Sequence, residues 1–297
     1  MTLIALLVAL LVERLATRLL SLREAHWLEG YAAWARARLS GLVGPARILP
    51  CAVLVLLPAV PVALVGAWLS EDAPAAAWLA FASLVLVFSL GPRDLGDEVD
   101  EYVDRELAGD EEGARRAAAE IIEHDAGQRR AARAESVEDA IFVQANNRVF
   151  GVVFWFVALG PTGLGPAAAW LFRATDLMRR SDIAAQHGAG DGQGCAERVH
   201  FLLAWPPARL LAFGYALAGS FQDARQGFRE RYASLPERML ERNDWLLVHV
   251  GRASLGPLPP PGPDVPLPAR AAWRLVGRAL LFWLVVVAVL SMTAWIA

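Results

Sequence analysis

Glu135, Asp139, Asn146, Asn147, Arg173, Asp176 and Arg209 have the types and the spacing to hold a small ligand. Glu135, Asp139, Asn146 and Asn147, with Glu138, Gln144 and Arg148 among them, immediately precede an apolar run. Arg173 and Asp176 stand where that run returns from a glycine- and proline-rich turn, and Arg209 follows Pro206-Pro207 in the next apolar region. If the turn closes a hairpin, both groups reach the same membrane edge. Carboxylates gathered there suit Mg²⁺ and an arginine suits phosphate, so a nucleotide with Mg²⁺ is the cofactor the set accommodates. The same residues also suit a cap-and-anchor network at helix ends, and the two readings stay open. Glu13 and Arg14 interrupt the first apolar run, where a charge is expensive and is aimed at a partner or at the protein interior.

Other chemistries find little support. All 28 basic residues are arginine, which removes lysine Schiff-base and P-loop chemistry, and Gly188–Gly194 lacks the ending a P-loop needs. The histidines at 26, 124, 187, 200 and 249 include no i, i+4 pair, so no metal site is expected. Cys51 lies in an apolar run and Cys195 in a glycine-rich stretch; neither has an evident partner, and no disulfide is expected. There is no nucleophile elbow, and no basic, aromatic-rich surface for nucleic acid.

The elements that position these residues are membrane helices. Fifty-six per cent of the 297 residues are hydrophobic, above the 45–50% of soluble domains, and they are clustered into runs. About 20 apolar residues cross a bilayer core. Thr2–Leu20, Ile48–Leu69, Ala75–Leu90 and Ala279–Ala297 meet or approach that length. Val149–Leu177 is broken by Gly160-Pro161-Thr162-Gly163-Leu164-Gly165-Pro166 and reads as a hairpin of two short helices. Phe201–Phe221 contains Pro206-Pro207 and reads as a re-entrant or interfacial element packed on protein. The loops 21–47, 91–148, 173–200 and 222–278 hold nearly all the arginines and should face the cytoplasm, leaving the turns at 70–74 and 160–166 outside.

The expected class is an all-α polytopic membrane protein with a broken hairpin, a re-entrant segment and a helical cytoplasmic region. Its parts are residues 1–91 (three spans), 92–147 (acidic and cytoplasmic), 148–221 (hairpin and re-entrant segment), 222–278 (arginine- and proline-rich) and 279–297 (last span). Within 92–147, sixteen acidic residues face seven arginines, a solvated surface. Val99, Val103 and Leu107 predict an amphipathic helix over Asp97–Ala108. A second helix begins at Asp110 and ends near Gly127. Ser136 with Asp139 predicts a capping box that opens a third.

Several strings together resemble the AmpE family of inner-membrane proteins, over essentially the whole chain. They are Glu13-Arg14, His26-Trp27, Asn146-Asn147-Arg148-Val149-Phe150, Val153-Phe154-Trp155-Phe156, Leu171-Phe172-Arg173-Ala174 and Ala204-Trp205-Pro206-Pro207-Ala208-Arg209-Leu210. That family is similar to the CobD/CbiB synthases of cobalamin biosynthesis, of which Arg93-Asp94-Leu95, Gly109-Asp110, His124-Asp125 and Glu135-Ser136-Val137 are traces. Departures from the synthase pattern weigh against synthase activity: Ala204 replaces an aspartate or asparagine, and the segment after Glu135-Ser136-Val137 differs. The resemblance implies a regulatory protein of β-lactamase induction and peptidoglycan recycling, linked with an AmpD-type amidase. The alternative it implies is an ATP-dependent, amide-forming synthase acting on a corrinoid.

Overall fold

The computed structural model describes residues 26–39, 46, 48–90, 94–122, 130–186, 194–231, 235–256 and 267–296. The expected span Thr2–Leu20 with Glu13 and Arg14, the His124-Asp125 pair and residues 257–266 of the arginine- and proline-rich region lie outside them. Every regular element among the described residues is helical. In chain order these are α1 (His26–Leu39), α2 (Ile48–Leu56), α3 (Val60–Asp72), α4 (Ala75–Leu90), α5 (Leu95–Leu107) and α6 (Glu111–Ile122). There follow α7 (Arg130–Gln144), α8 (Gly151–Ala158), α9 (Gly165–Gln186), α10 (Cys195–Ala218), α11 (Phe221–Arg231), α12 (Arg242–Leu255) and α13 (Pro268–Ile296).

Four helical stretches among the described residues are long and apolar enough to cross a membrane, Ile48–Glu71, Arg130–Ala158, Cys195–Ala218 and Pro268–Ser291, and the candidate Ala75–Leu107 also includes residues 91–93, which are not described. Only 11% of the apolar window in the first and 17% in the last is covered by protein. Leu49, Leu64, Trp68, Leu281 and Leu290 are all more than half exposed. An apolar surface of that extent is matched by lipid rather than water. The chain is a polytopic helical membrane protein.

Two compact units divide it, Met1–Pro92 with Asn147–Pro206, and Arg93–Asn146 with Pro207–Ala297. In the first, Leu28, Ala32, Val55, Ala174, Met178 and Ala196 form a core cluster. The expected hairpin is there: α8 and α9 pack together, joined by a 3₁₀ turn at Gly160–Thr162 and by Gly163 at φ +77°. A Cβ at Gly165 would come within 2.5 Å of the Phe156 carbonyl oxygen, so only glycine closes this turn.

Proline inside these helices strips an amide and orphans the carbonyl four residues earlier, a loss that lipid does not repair. At three of these prolines the loss is made good, twice by a side chain and once by the backbone. Pro58 leaves the Leu54 carbonyl, which accepts from the Tyr31 hydroxyl at 2.6 Å. The Leu57 carbonyl, left by Pro61, takes the Val60 amide in a 3₁₀ turn over Leu57–Ala59. Pro207 leaves the Leu203 carbonyl, which accepts from the Trp155 indole at 3.0 Å. The re-entrant form expected for Phe201–Phe221 is therefore absent: α10 runs unbroken through Pro206 and Pro207 for 24 residues.

A second correction concerns the cysteines. Cys51 and Cys195 form a disulfide, with their Cα atoms 5.7 Å apart and 144 residues between them. The starts of α2 and α10 meet, a juxtaposition that no local pattern announces.

The second unit begins where the Asp94 carboxylate accepts the Gly96 amide and caps α5. Val99 and Val103 are buried, as their spacing predicted, and Tyr102 is buried beside them, whereas Leu107, expected on the same stripe, is 67% exposed at the end of the helix. Gly109, at φ +72°, turns the chain, and Asp110 accepts the Gly113 amide at 2.9 Å to start α6. The expected end of α6 near Gly127 lies outside the described residues. The capping box at Ser136 does not form, because α7 already begins at Arg130. Its upstream turns are held by Arg130 and Arg133, which both donate to the Glu106 carboxylate. The last helix also starts earlier than expected, at Pro268.

Candidate functional site

Between α7 and α8 the chain widens into a π-helix over Ala145–Phe150. Such a turn inserts a residue into the ladder and re-aims its neighbours, and it recurs at functional positions. Here it carries Asn146, Asn147 and Arg148, all buried although polar. In the second unit, the Tyr215 hydroxyl donates to the Phe142 carbonyl in the turn leading into it, at 3.1 Å.

In the first unit Asn147 joins a network built on α9 and α10. Asp176 is fully buried and accepts from Arg173 Nη1 at 3.0 Å, Arg179 Nη2 at 2.9 Å and Arg180 Nη2 at 2.5 Å. The spacings of three and four residues along α9 place Arg179 and Arg180 one turn beyond the carboxylate. His200, on α10, packs against Phe172 with ring centroids 5.0 Å apart and the ring planes tilted by 41°. The Thr175 hydroxyl donates to the Phe172 carbonyl at 2.8 Å, and its oxygen lies 3.2 Å from His200 Nδ1. His200 Nε2 lies 3.4 Å from Asn147 Oδ1 and 3.9 Å from Asp176 Oδ1. Arg173 is nearly enclosed, whereas the side chains of Arg179 and Arg180 keep 18% and 22% of their surface exposed.

In the second unit the stoichiometry is reversed. Arg252 on α12 meets three carboxylates of α7: Glu135 at 2.7 Å, Asp139 at 2.6 Å and Glu138 at 3.9 Å. These carboxylates raise the Arg252 guanidinium above its ordinary value although burial opposes them. Arg209 Nη1 donates to Asn243 Oδ1 at 2.9 Å.

The predicted set thus falls into two groups. Asn147, Arg173 and Asp176 share one network, and Glu135 and Asp139 share another. Arg209 pairs with Asn243, while Asn146 is buried in the π-helix. Sequence reasoning missed Arg179 and Arg180, which their spacing from Asp176 announces. It also missed His200, Thr175 and Arg252, for which separation in sequence left no signal. The guanidinium of Arg252 stands among the carboxylates of α7.

The chain is similar to "Cobalamin biosynthesis protein CobD" of Stutzerimonas stutzeri (strain A1501), 29% identical over 172 residues. The match covers 55% of this chain and 52% of that protein, so the chain spans about half the length of the curated relative it matches. No protein-family model matches, and no solved structure matches. The similarity supports a distant relation to the CobD/CbiB type of membrane protein.

Proposed function

We propose that this chain is an inner-membrane regulatory or sensory protein of the AmpE type, built on a CobD/CbiB-like scaffold. It would bind an anionic small molecule, a nucleotide or another phosphorylated or carboxylated metabolite, at the Asn147–Arg173–Asp176–His200 network. The observation that carries the reading is how Asp176 uses its oxygens. It is saturated by three guanidiniums, so it fixes cations rather than working as an acid or base. Guanidiniums fixed in this way are pre-organised, and because the side chains of Arg179 and Arg180 are partly exposed, a phosphate or carboxylate can be drawn toward them.

Ala204, where the synthase pattern has a carboxylate or carboxamide, is buried and offers no polar group. That favours regulation over synthesis. Arginine placement favours a cytoplasmic position for residues 21–47, 92–147, 173–200 and 222–278, which makes α10 an interfacial helix packed on protein rather than a crossing. The pairing of Arg252 with α7 holds the segment after α10 beside the segment before α8, which supports one side for both.

A second reading, an ATP-dependent amide-forming synthase acting on a corrinoid, is favoured by the match to CobD. One pair of experiments separates the two. Deleting the gene should alter β-lactamase induction by a cell-wall antibiotic, through the pathway of an AmpD-type amidase. Expressing the protein in a strain lacking its cobalamin synthase should leave that strain a cobalamin auxotroph. Restored growth without cobalamin, with induction untouched by the deletion, would reverse the assignment.

A further inference from the structure

Disulfides persist in oxidising compartments and are transient in the cytosol, where they serve redox sensing. Cys51 opens α2 beside the arginine-rich loop 21–47, and Cys195 opens α10 after the arginine-rich stretch 173–200. The orientation proposed above puts both on the cytoplasmic side. Both residues are only partly buried, so small oxidants and thiols reach them. Cys195 borders the core cluster that includes Ala174, Met178 and Ala196, and it lies on the helix that carries His200. Closing or opening the bond therefore acts on the packing of α10 beside the Asp176 network.

We propose that Cys51 and Cys195 are a reversible redox clasp that fastens the first turn of α10 to the first turn of α2. It rests on the cytoplasmic orientation, not on the identity of any ligand. A peroxide supplies the oxidation. One thiolate attacks a peroxide oxygen, giving a sulfenic acid and releasing hydroxide. The second thiolate attacks that sulfur, the S–S bond forms, and the sulfenic oxygen leaves as a second hydroxide. Two thiols lose two electrons and two protons, and the peroxide ends as two waters. A cellular dithiol reverses the bond by exchange, its own sulfurs becoming the disulfide.

The test is alkylation of the full-length protein in intact cells, read by mass spectrometry, with and without hydrogen peroxide. In unstressed cells both cysteines should take the alkylating reagent. After peroxide both should be lost to alkylation and appear as one linked peptide, and a membrane-permeant dithiol should restore them. In Cys195→Ser, peroxide should yield no intramolecular link. A pair already oxidised in unstressed cells, or still alkylated after peroxide, overturns the proposal. A reporter fusion at Asp72 keeps the two failures apart. If it reads the periplasm while the pair is permanently oxidised, the clasp alone fails; if it reads the cytoplasm, the orientation falls and takes the clasp with it.

Discussion

The two units solve the same electrostatic problem with opposite stoichiometries. In one, a single carboxylate, Asp176, gathers three guanidiniums and is closed off from solvent. In the other, a single guanidinium, Arg252, gathers three carboxylates, and Glu135 remains 66% exposed. The Asp176 contacts lie at 2.5–3.0 Å, and Arg252 reaches Asp139 and Glu135 at 2.6 and 2.7 Å but Glu138 only at 3.9 Å. Burial differs, and burial decides what each is worth. Removing the hub of an enclosed network strands charges that cannot be rehydrated, whereas an exposed partner returns to water at small cost.

The comparison breaks first at Asp176. Asp176→Ala should destabilise the protein by about 3–5 kcal/mol, the usual cost of breaking a buried ion pair. Thermal unfolding in detergent measures it, and a loss below about 1 kcal/mol would mean that the guanidiniums are solvated after all. The second unit supplies a control. Arg133 is 1% exposed and donates to Glu106, so Glu106→Ala should cost about as much as Asp176→Ala. Equal losses would show that burial sets the scale, independently of the unit.

An intermediate effect is expected at Trp155→Phe. The substitution keeps the ring but removes the indole donor from the Leu203 carbonyl, leaving a backbone acceptor unpaired at a cost of about 1–3 kcal/mol. Restoring the amide with Pro207→Ala should recover most of that loss, because the orphan would no longer exist. Arg252→Ala should cost less than Asp176→Ala, because Glu135 returns to water freely while Glu138 and Asp139 are only partly exposed, and the loss should shrink as salt is raised.

The smallest effect is a pH dependence. The Gly113 amide and the Arg105 guanidinium hold the Asp110 carboxyl below its ordinary value in the folded state. A depressed folded value means that its contribution is present above the unfolded value, about 4, and is lost as pH falls through the folded one. The start of α6 should therefore loosen in acid, seen as faster amide exchange near Gly113, and Asp110→Asn should remove that sensitivity.

What the sequence disclosed follows physical lines. Apolar runs of membrane length and the Gly160–Pro166 turn are local signals, and they located most of the described spans and the hairpin. Pro206-Pro207 misled because a proline's cost depends on what the orphaned carbonyl can find. Trp155, far away in sequence, supplies a donor that no local rule sees. The capping pattern at Ser136 misled for a related reason: Glu106 holds Arg130 and Arg133, and so extends α7 upstream. For the candidate site, polar residues bordering apolar runs pointed to Asn147, Arg173 and Asp176. Arg179 and Arg180 were legible in the helical spacing. His200 and the Cys51–Cys195 pair were not, since each depends on which helices meet.

The central claim is that the Asp176 network holds an anionic ligand, and a nucleotide titration of the purified full-length protein in detergent addresses it most directly. The account predicts saturable binding that weakens about tenfold, or about 1.4 kcal/mol, in Asn147→Ala and in Arg180→Ala, but not in Glu135→Ala. Affinity unchanged by Asn147→Ala and Arg180→Ala in folded protein, or lost in Glu135→Ala instead, would contradict it.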